Sequence, residues 1–226
     1  MNRSPLVLYG FTFLLAFCSL FYELIYAQIL SVCIGGTKTQ YLTIIALFTF
    51  ALGMGTIAFG RTKLRYGIRP TFFLIECLLT ILGGLGPFLI TWILQPGNSP
   101  ALMPFKIYLS YFIVFTIGFL SGFEIPCLFS LAGEGKGKIL GMDYLGMLAA
   151  SILFPLFFLP QLGTAPGALV IAACNGYALI WLRSDKPNTA VTIFLFSVVT
   201  ILIAVILGNI GELNGVLSQL YLQGIP

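Results

Sequence analysis

From Leu6 to Ile34 the chain runs with a single charged residue, Glu23. That stretch is longer than the roughly 20 apolar residues a helix needs to cross a hydrocarbon core. Six more apolar stretches follow it: Tyr41–Gly60, Ile68–Leu94, Ile107–Leu131, Ile139–Leu162, Ala165–Leu182 and Thr189–Ile210. Only 8% of the 226 residues are charged and 59% are hydrophobic. A water-soluble domain carries about 25% charged residues, so charge here is too scarce to cover a surface and lipid must do so. The expected fold is an all-α integral membrane protein, a bundle of about seven transmembrane helices. Alternation of apolar and polar residues in short strands is missing, which disfavours a membrane barrel. The first stretch exceeds the 7–15 apolar residues of a signal peptide and no small-residue cleavage site follows it, so it is expected to be retained.

Lysine and arginine set the orientation. With seven spans, one side receives Arg3, Arg61, Lys63, Arg65, Arg69, Lys136, Lys138, Arg183 and Lys186, and the other only Lys38 and Lys106. The N-terminus is therefore expected in the cytoplasm and the C-terminus outside. The membrane domain is expected to occupy residues 1–210. Residues 211–226 place Leu213, Val216, Leu217, Leu220 and Tyr221 at helical spacing, as in a short amphipathic helix on the outer interface. The expected location is a bacterial plasma (inner) membrane.

Several classes of function drop out. There are no histidines, so a His-ligated haem, an H-E-x-x-H zinc site and a Ser-His-Asp triad are excluded. No phosphate-cradling G-x-x-x-x-G-K-[ST] loop occurs, and the last span contains no lysine for a retinal Schiff base. The five cysteines stand singly in apolar segments without C-x-x-C spacing, as buried small hydrophobes do. The net charge of +4 is a topology signal; no basic cluster interleaved with aromatics points to nucleic acid. No cofactor and no metal are expected.

Polar groups at membrane depth are costly and hence candidates for function. Glu124 lies roughly 10 Å from the cytoplasmic end of its span and Asp143 about 7 Å, at 1.5 Å per residue. A short loop joins their helices, so the two carboxylates are expected to share a site near Lys136 and Lys138. Glu76 is expected to pair with Arg65 or Arg69. Glu23 and Gln28 lie in the outer half of the first span, and Asn175 is expected to hydrogen-bond between helices. Together these six form a candidate cation site. Pro126, Pro155 and Pro160 are expected to break their helices. Gly118 and Gly122 in a G-x-x-x-G, with Gly53, Gly55 and Gly146, are expected at close helix contacts.

Two stretches carry a family resemblance. "YELIYAQILSVCIGGTKTQYLTIIALFTFALGMGTIAFGR" (Tyr22–Arg61) and "GFEIPCLFSLAGEGKGKILGMDYLGMLAASILFPLFFLPQLG" (Gly122–Gly163) resemble the membrane domain of spermidine-synthase-like proteins. The resemblance covers about Tyr22 to Asn175. Glu23, Gly53, Gly55, Arg61, Glu124, Pro126, Gly141, Tyr144, Gly146, Pro160, Gly163 and Asn175 occupy the family's recurring positions. Gln28 stands where the family often places an arginine, which removes a charge partner for Glu23. The soluble aminopropyltransferase-like domain that often follows is absent, so the resemblance implies a membrane fold without synthase activity.

The expected function is accordingly a non-catalytic membrane module and not an enzyme, acting as a subunit or scaffold beside a protein partner or as a homo-oligomer. The alternative is a transporter or binding site for a small cationic solute of polyamine type, held by the intramembrane carboxylates.

Overall fold

The computed structural model describes residues 5–95, 100–132, 135–183, 203–204, 206 and 208–222. Among them the chain is all-helical. Helix α1 spans Pro5–Ile34, α2 Thr37–Tyr66, α3 Ile68–Ile93, α4 Met103–Ser121, α5 Glu124–Ala132 and α6 Lys136–Leu153. A π-helical turn at Phe154–Phe158 leads into the short α7 at Leu159–Gln161, followed by α8 at Thr164–Arg183 and α9 at Ile210–Leu222.

Five helical stretches are long and apolar enough to cross a membrane: Leu6–Ile34, Lys38–Arg61, Ile68–Ile93, Met103–Ala132 and Lys136–Gln161. The first five expected spans fall on these. The sixth, Ala165–Leu182, lies in α8, while residues 189–202 of the seventh lie outside the described residues. The tail forms a helix that rests against α3 and α8, though the side chains of Val216, Leu217, Leu220 and Tyr221 lie outside the description.

Helix α1 is the axis of the bundle. It touches α2, α3, α4, α5, α6 and α8, and its residues Leu15, Cys18, Tyr22, Ile25, Tyr26 and Leu30 are buried at three- and four-residue intervals. The outward surfaces are also apolar: Ile57, Leu156 and Leu42 are 83%, 74% and 69% exposed. An apolar exterior of this extent is rare on a water-soluble monomer.

Small residues set the helix contacts. A Cβ at Gly122 would strike the Leu52 carbonyl, and one at Gly55 the Phe119 carbonyl, so α2 and α4 meet backbone to backbone. Gly118 sits against Phe48 and Ala51 of α2, and Gly146 against Phe13 and Ala16 of α1. Gly53 departs from expectation: a Cβ there meets open space. Residues turn by roughly 100° per position around a helix, so α2 cannot aim Leu52, Gly53 and Gly55 at the same neighbour.

The prolines act differently from one another. The break in the fourth span falls at Gly122–Phe123, ahead of Pro126, which sits in the first turn of α5. Pro126 has no N–H to bond the carbonyl four residues back, which is that of Gly122. The Thr56 hydroxyl of α2 donates to this carbonyl at 2.8 Å instead. Pro155 and Pro160 were expected to break the fifth span, but the chain remains helical there by widening into the π turn, with the Leu159 N–H donating to Phe154 O. A π turn is a common way to absorb a lost helical hydrogen bond. It also turns Phe154 and Phe158 onto Phe21 of α1, with ring centroids 5.5 and 4.6 Å apart.

Candidate functional site

The bundle interior holds a group of oxygen atoms that have not found partners. Tyr22 of α1 is 1% exposed, and its ring lies over Gly83 of α3, where a Cβ would occupy the ring's own space. Its hydroxyl has no hydrogen-bond partner. One turn on, Tyr26 is seated the same way at Gly86, but its hydroxyl donates to Leu82 O at 2.6 Å. Two tyrosines four residues apart on α1 therefore meet two glycines three residues apart on α3, and only one of the pair is satisfied.

Glu76 of α3 is fully buried and both its carboxylate oxygens lack a hydrogen-bond partner. The Asn175 side chain of α8 stands beside it. That amide instead donates to the Thr80 hydroxyl over a long 3.4 Å, and its own oxygen is unpartnered. The Thr80 hydroxyl in turn donates to the backbone carbonyl of Glu76 at 2.8 Å. Asn175 thus bonds between helices, while neither Glu76 carboxylate oxygen has a hydrogen-bond partner among the described residues, and the Arg65 side chain lies outside them. Glu76 lies two turns into α3 and turns inward, whereas Arg69 is exposed near the helix start.

Glu124 opens α5 and is 6% exposed. Ser121 at the end of α4 faces it without reaching hydrogen-bond geometry. Glu124 lies within electrostatic reach of Glu76 first and of Asp143 on α6 second. Tyr22 and Cys18 of α1 lie within reach of both glutamates. The structure therefore brings Glu76, Glu124 and Asn175 of α3, α5 and α8 into one neighbourhood with Tyr22, with Asp143 of α6 within reach of Glu124.

Two expected members lie elsewhere. Glu23 is buried on α1 next to Tyr22 in sequence, but one residue on a helix is roughly 100° of rotation; none of the described interactions joins it to Glu76 or Glu124. Gln28 is further along α1, where its side-chain oxygen accepts the Tyr41 hydroxyl of α2. Among the described residues no group of three His, Cys, Asp or Glu has the spacing of a metal site. None of the five cysteines is in a disulfide.

Tyr22, Thr80 and Ser121 were not foreseen from the sequence. Tyrosine, threonine and serine are ordinary in apolar helices, and only the facing glycines Gly83 and Gly86 mark where a ring can enter. Chemically, the neighbourhood is rich in acceptors. Each unmet buried polar group costs about 1–3 kcal/mol. The neighbourhood's donors include the neutral hydroxyls of Tyr22 and Ser121 and the Asn175 amide.

No family model matches the chain, and no solved structure matches it. Curated relatives do. The chain is 31% identical over 188 residues to polyamine aminopropyltransferase 2 of Ralstonia nicotianae, covering 80% of this chain and 36% of that protein. It is 32% identical over 180 residues to the polyamine aminopropyltransferase of Leptospira interrogans, covering 77% of this chain and 34% of that protein. Polyamine aminopropyltransferase 1 of Streptomyces coelicolor is 32% identical over 176 residues, covering 74% of this chain and 31% of its own length. The chain thus spans about a third of the length of these relatives.

These similarities support a spermidine-synthase-like family. They also correct the expectation of a non-catalytic module that is not an enzyme. The relatives that match most of this chain carry the name of an enzyme, a polyamine aminopropyltransferase, and not that of a scaffold.

Proposed function

We propose that this chain serves aminopropyl transfer to polyamines, as the multi-pass membrane part of a spermidine-synthase-like enzyme in a bacterial plasma membrane. The similarity to polyamine aminopropyltransferases over 80% of the chain carries the reading. Five apolar helices of spanning length and their apolar outer faces support the membrane placement. The seven apolar stretches of the sequence and its lysine and arginine distribution favour seven spans with the N-terminus in the cytoplasm.

Aminopropyl transfer joins a propylamine unit to an amine, so both acceptor and product are amines that gain positive charge in water. Within this chain the groups suited to such a molecule are the buried carboxylates Glu76 and Glu124, with Asp143 toward the cytoplasmic side. The unpartnered oxygens of Glu76 would accept the N–H donors of such a molecule.

The test is transfer of a labelled aminopropyl group from an activated donor to a diamine, in membranes from cells that make the protein. Formation of the longer polyamine above the level in membranes lacking the protein is the expected result; equal levels in the two would overturn the reading. The paired substitution Glu76→Gln and Glu124→Gln is expected to lower kcat/KM for the amine by about tenfold or more, the worth of one charge-assisted hydrogen bond. Unchanged kinetics would remove the carboxylates from the proposal while leaving the transfer activity standing.

A further inference from the structure

A second feature has no part in the carboxylate neighbourhood. A cavity of about 450 Å³ opens between the ends of α1 and α3, the Leu159–Thr164 corner and the tail helix α9. Its walls include Ile29 and Val32, and five polar side chains reach it: Gln28, Thr91, Thr164, Asn214 and Ser218. Among the described residues none of its lining side chains is charged.

The tail helix is pinned in place as one wall. The Asn214 amide donates to Leu162 O at 2.7 Å. Beside it Gly163 takes φ +78°, and its missing Cβ leaves the space that the Asn214 side chain fills. The α7–α8 corner and α9 are therefore fitted to each other, and the cavity between them and α1 is built rather than left over.

The polar groups show what fits. The Thr91 hydroxyl donates to Pro87 O and the Ser218 hydroxyl to Gly215 O. The Gln28 oxygen already accepts from Tyr41. What remains to a ligand is the Gln28 amide N–H₂ and the Thr164 hydroxyl as donors, and the hydroxyl oxygens and Asn214 oxygen as acceptors. A polyamine finds no counter-charge here, and a carboxylate or phosphate finds no cation. The volume holds roughly fifteen water-sized groups, enough for much of one acyl chain and not for two. Sites of this size with apolar walls and a few converging polar groups are typical of small-molecule pockets.

We propose that this cavity binds a single-chain, uncharged amphiphile: one acyl chain along Ile29 and Val32, with an ester carbonyl accepting from Gln28 and a headgroup hydroxyl donating to Asn214 or Ser218. The site is separate from the amine-binding carboxylates, and its test reads binding alone.

The protein purified in detergent is mixed with monomyristoylglycerol and bound lipid is counted by native mass spectrometry. One retained lipid per chain is expected. Ser218→Phe, at an exposed position on the cavity wall, is expected to abolish retention. Gln28→Leu, similar in size, is expected to weaken it about tenfold, one hydrogen bond's worth, and keeps the test decisive if the larger substitution fails to fold. Equal retention by the wild type and both variants would mean lipid on the outer helical surface only and would overturn the proposal. So would tighter retention of charged myristate than of the neutral ester, or no retention at all.

Discussion

Near the start of α3 the bundle is closed, with two glutamates, an asparagine and a tyrosine buried and several of their oxygens unpartnered. Near its other end the same helices α1 and α3 part around a cavity whose polar groups are neutral and mostly satisfied. The contrast teaches how one helix pair produces both. At Gly83 and Gly86 the α3 backbone admits the Tyr22 and Tyr26 rings, which draws the helices together and seals the interior. Beyond Gly86 there are no such contacts, and at Gln28 and Thr91 space opens. Closure disfavours a lone charge but strengthens a charge pair, so a buried carboxylate gains most from a cation that reaches it. An open, uncharged cavity suits an apolar chain.

The largest expected effect lies in the closed region. Gly83→Ala puts a methyl group into the Tyr22 ring, which is buried and has nowhere to move. A loss of about 3 kcal/mol is expected, the upper end for overpacking, read as a fall in the thermal midpoint of the detergent-solubilised protein. A stability change below about 0.5 kcal/mol would mean that the two helices are not held as closely as described.

Glu76→Met sharpens the comparison with the opposite sign. Removing a buried carboxylate whose oxygens have no partners is expected to raise stability by about 2 kcal/mol while lowering aminopropyl transfer. Destabilisation would instead assign Glu76 a structural partner and dissolve its place among the substrate-facing groups.

In the open region, Gly163→Ala asks an L-residue to adopt φ +78° against Asn214. The expected cost is about 1–2 kcal/mol, with looser docking of α9. Faster proteolysis of the tail helix would report it, and monomyristoylglycerol retention should fall with it. If the tail is cut more readily and retention is unchanged, α9 is not a wall of the lipid site.

Much of the helical layout was legible in the chain, because long apolar runs report their own length wherever they pack. The apolar runs Tyr41–Gly60 and Ile68–Leu94 located α2 and α3, but the more polar ends that extend α2 to Thr37 and Tyr66 were not in its run. The close contacts at Gly118, Gly122 and Gly146 could be anticipated from small-residue spacing, but Gly53 could not be sorted from Gly55, since spacing does not say which face meets a neighbour. Glu76 could not be oriented from its sequence neighbours. Its nearest basic residues in sequence, Arg65 and Arg69, suggested a salt bridge, yet the helix turns it inward to Asn175, a hundred residues away. Nor did any sequence rule pair Pro126 with Thr56, whose hydroxyl takes up the carbonyl that the proline frees.

By itself the sequence determined that the chain would be helical and where most of its long helices run, because an apolar segment of about 20 residues satisfies its backbone only by coiling. It also marked the few ionisable groups that such helices carry. Which of those groups meet was decided only by tertiary structure. Rotation about each helix axis, set by glycine contacts on α2, α3 and α4, chose Glu76 and Glu124 for the interior around Tyr22 and left Glu23 outside their reach. The same rotations, together with the tail helix folded onto the Leu162–Gly163 corner, made a neutral cavity that no linear motif announces.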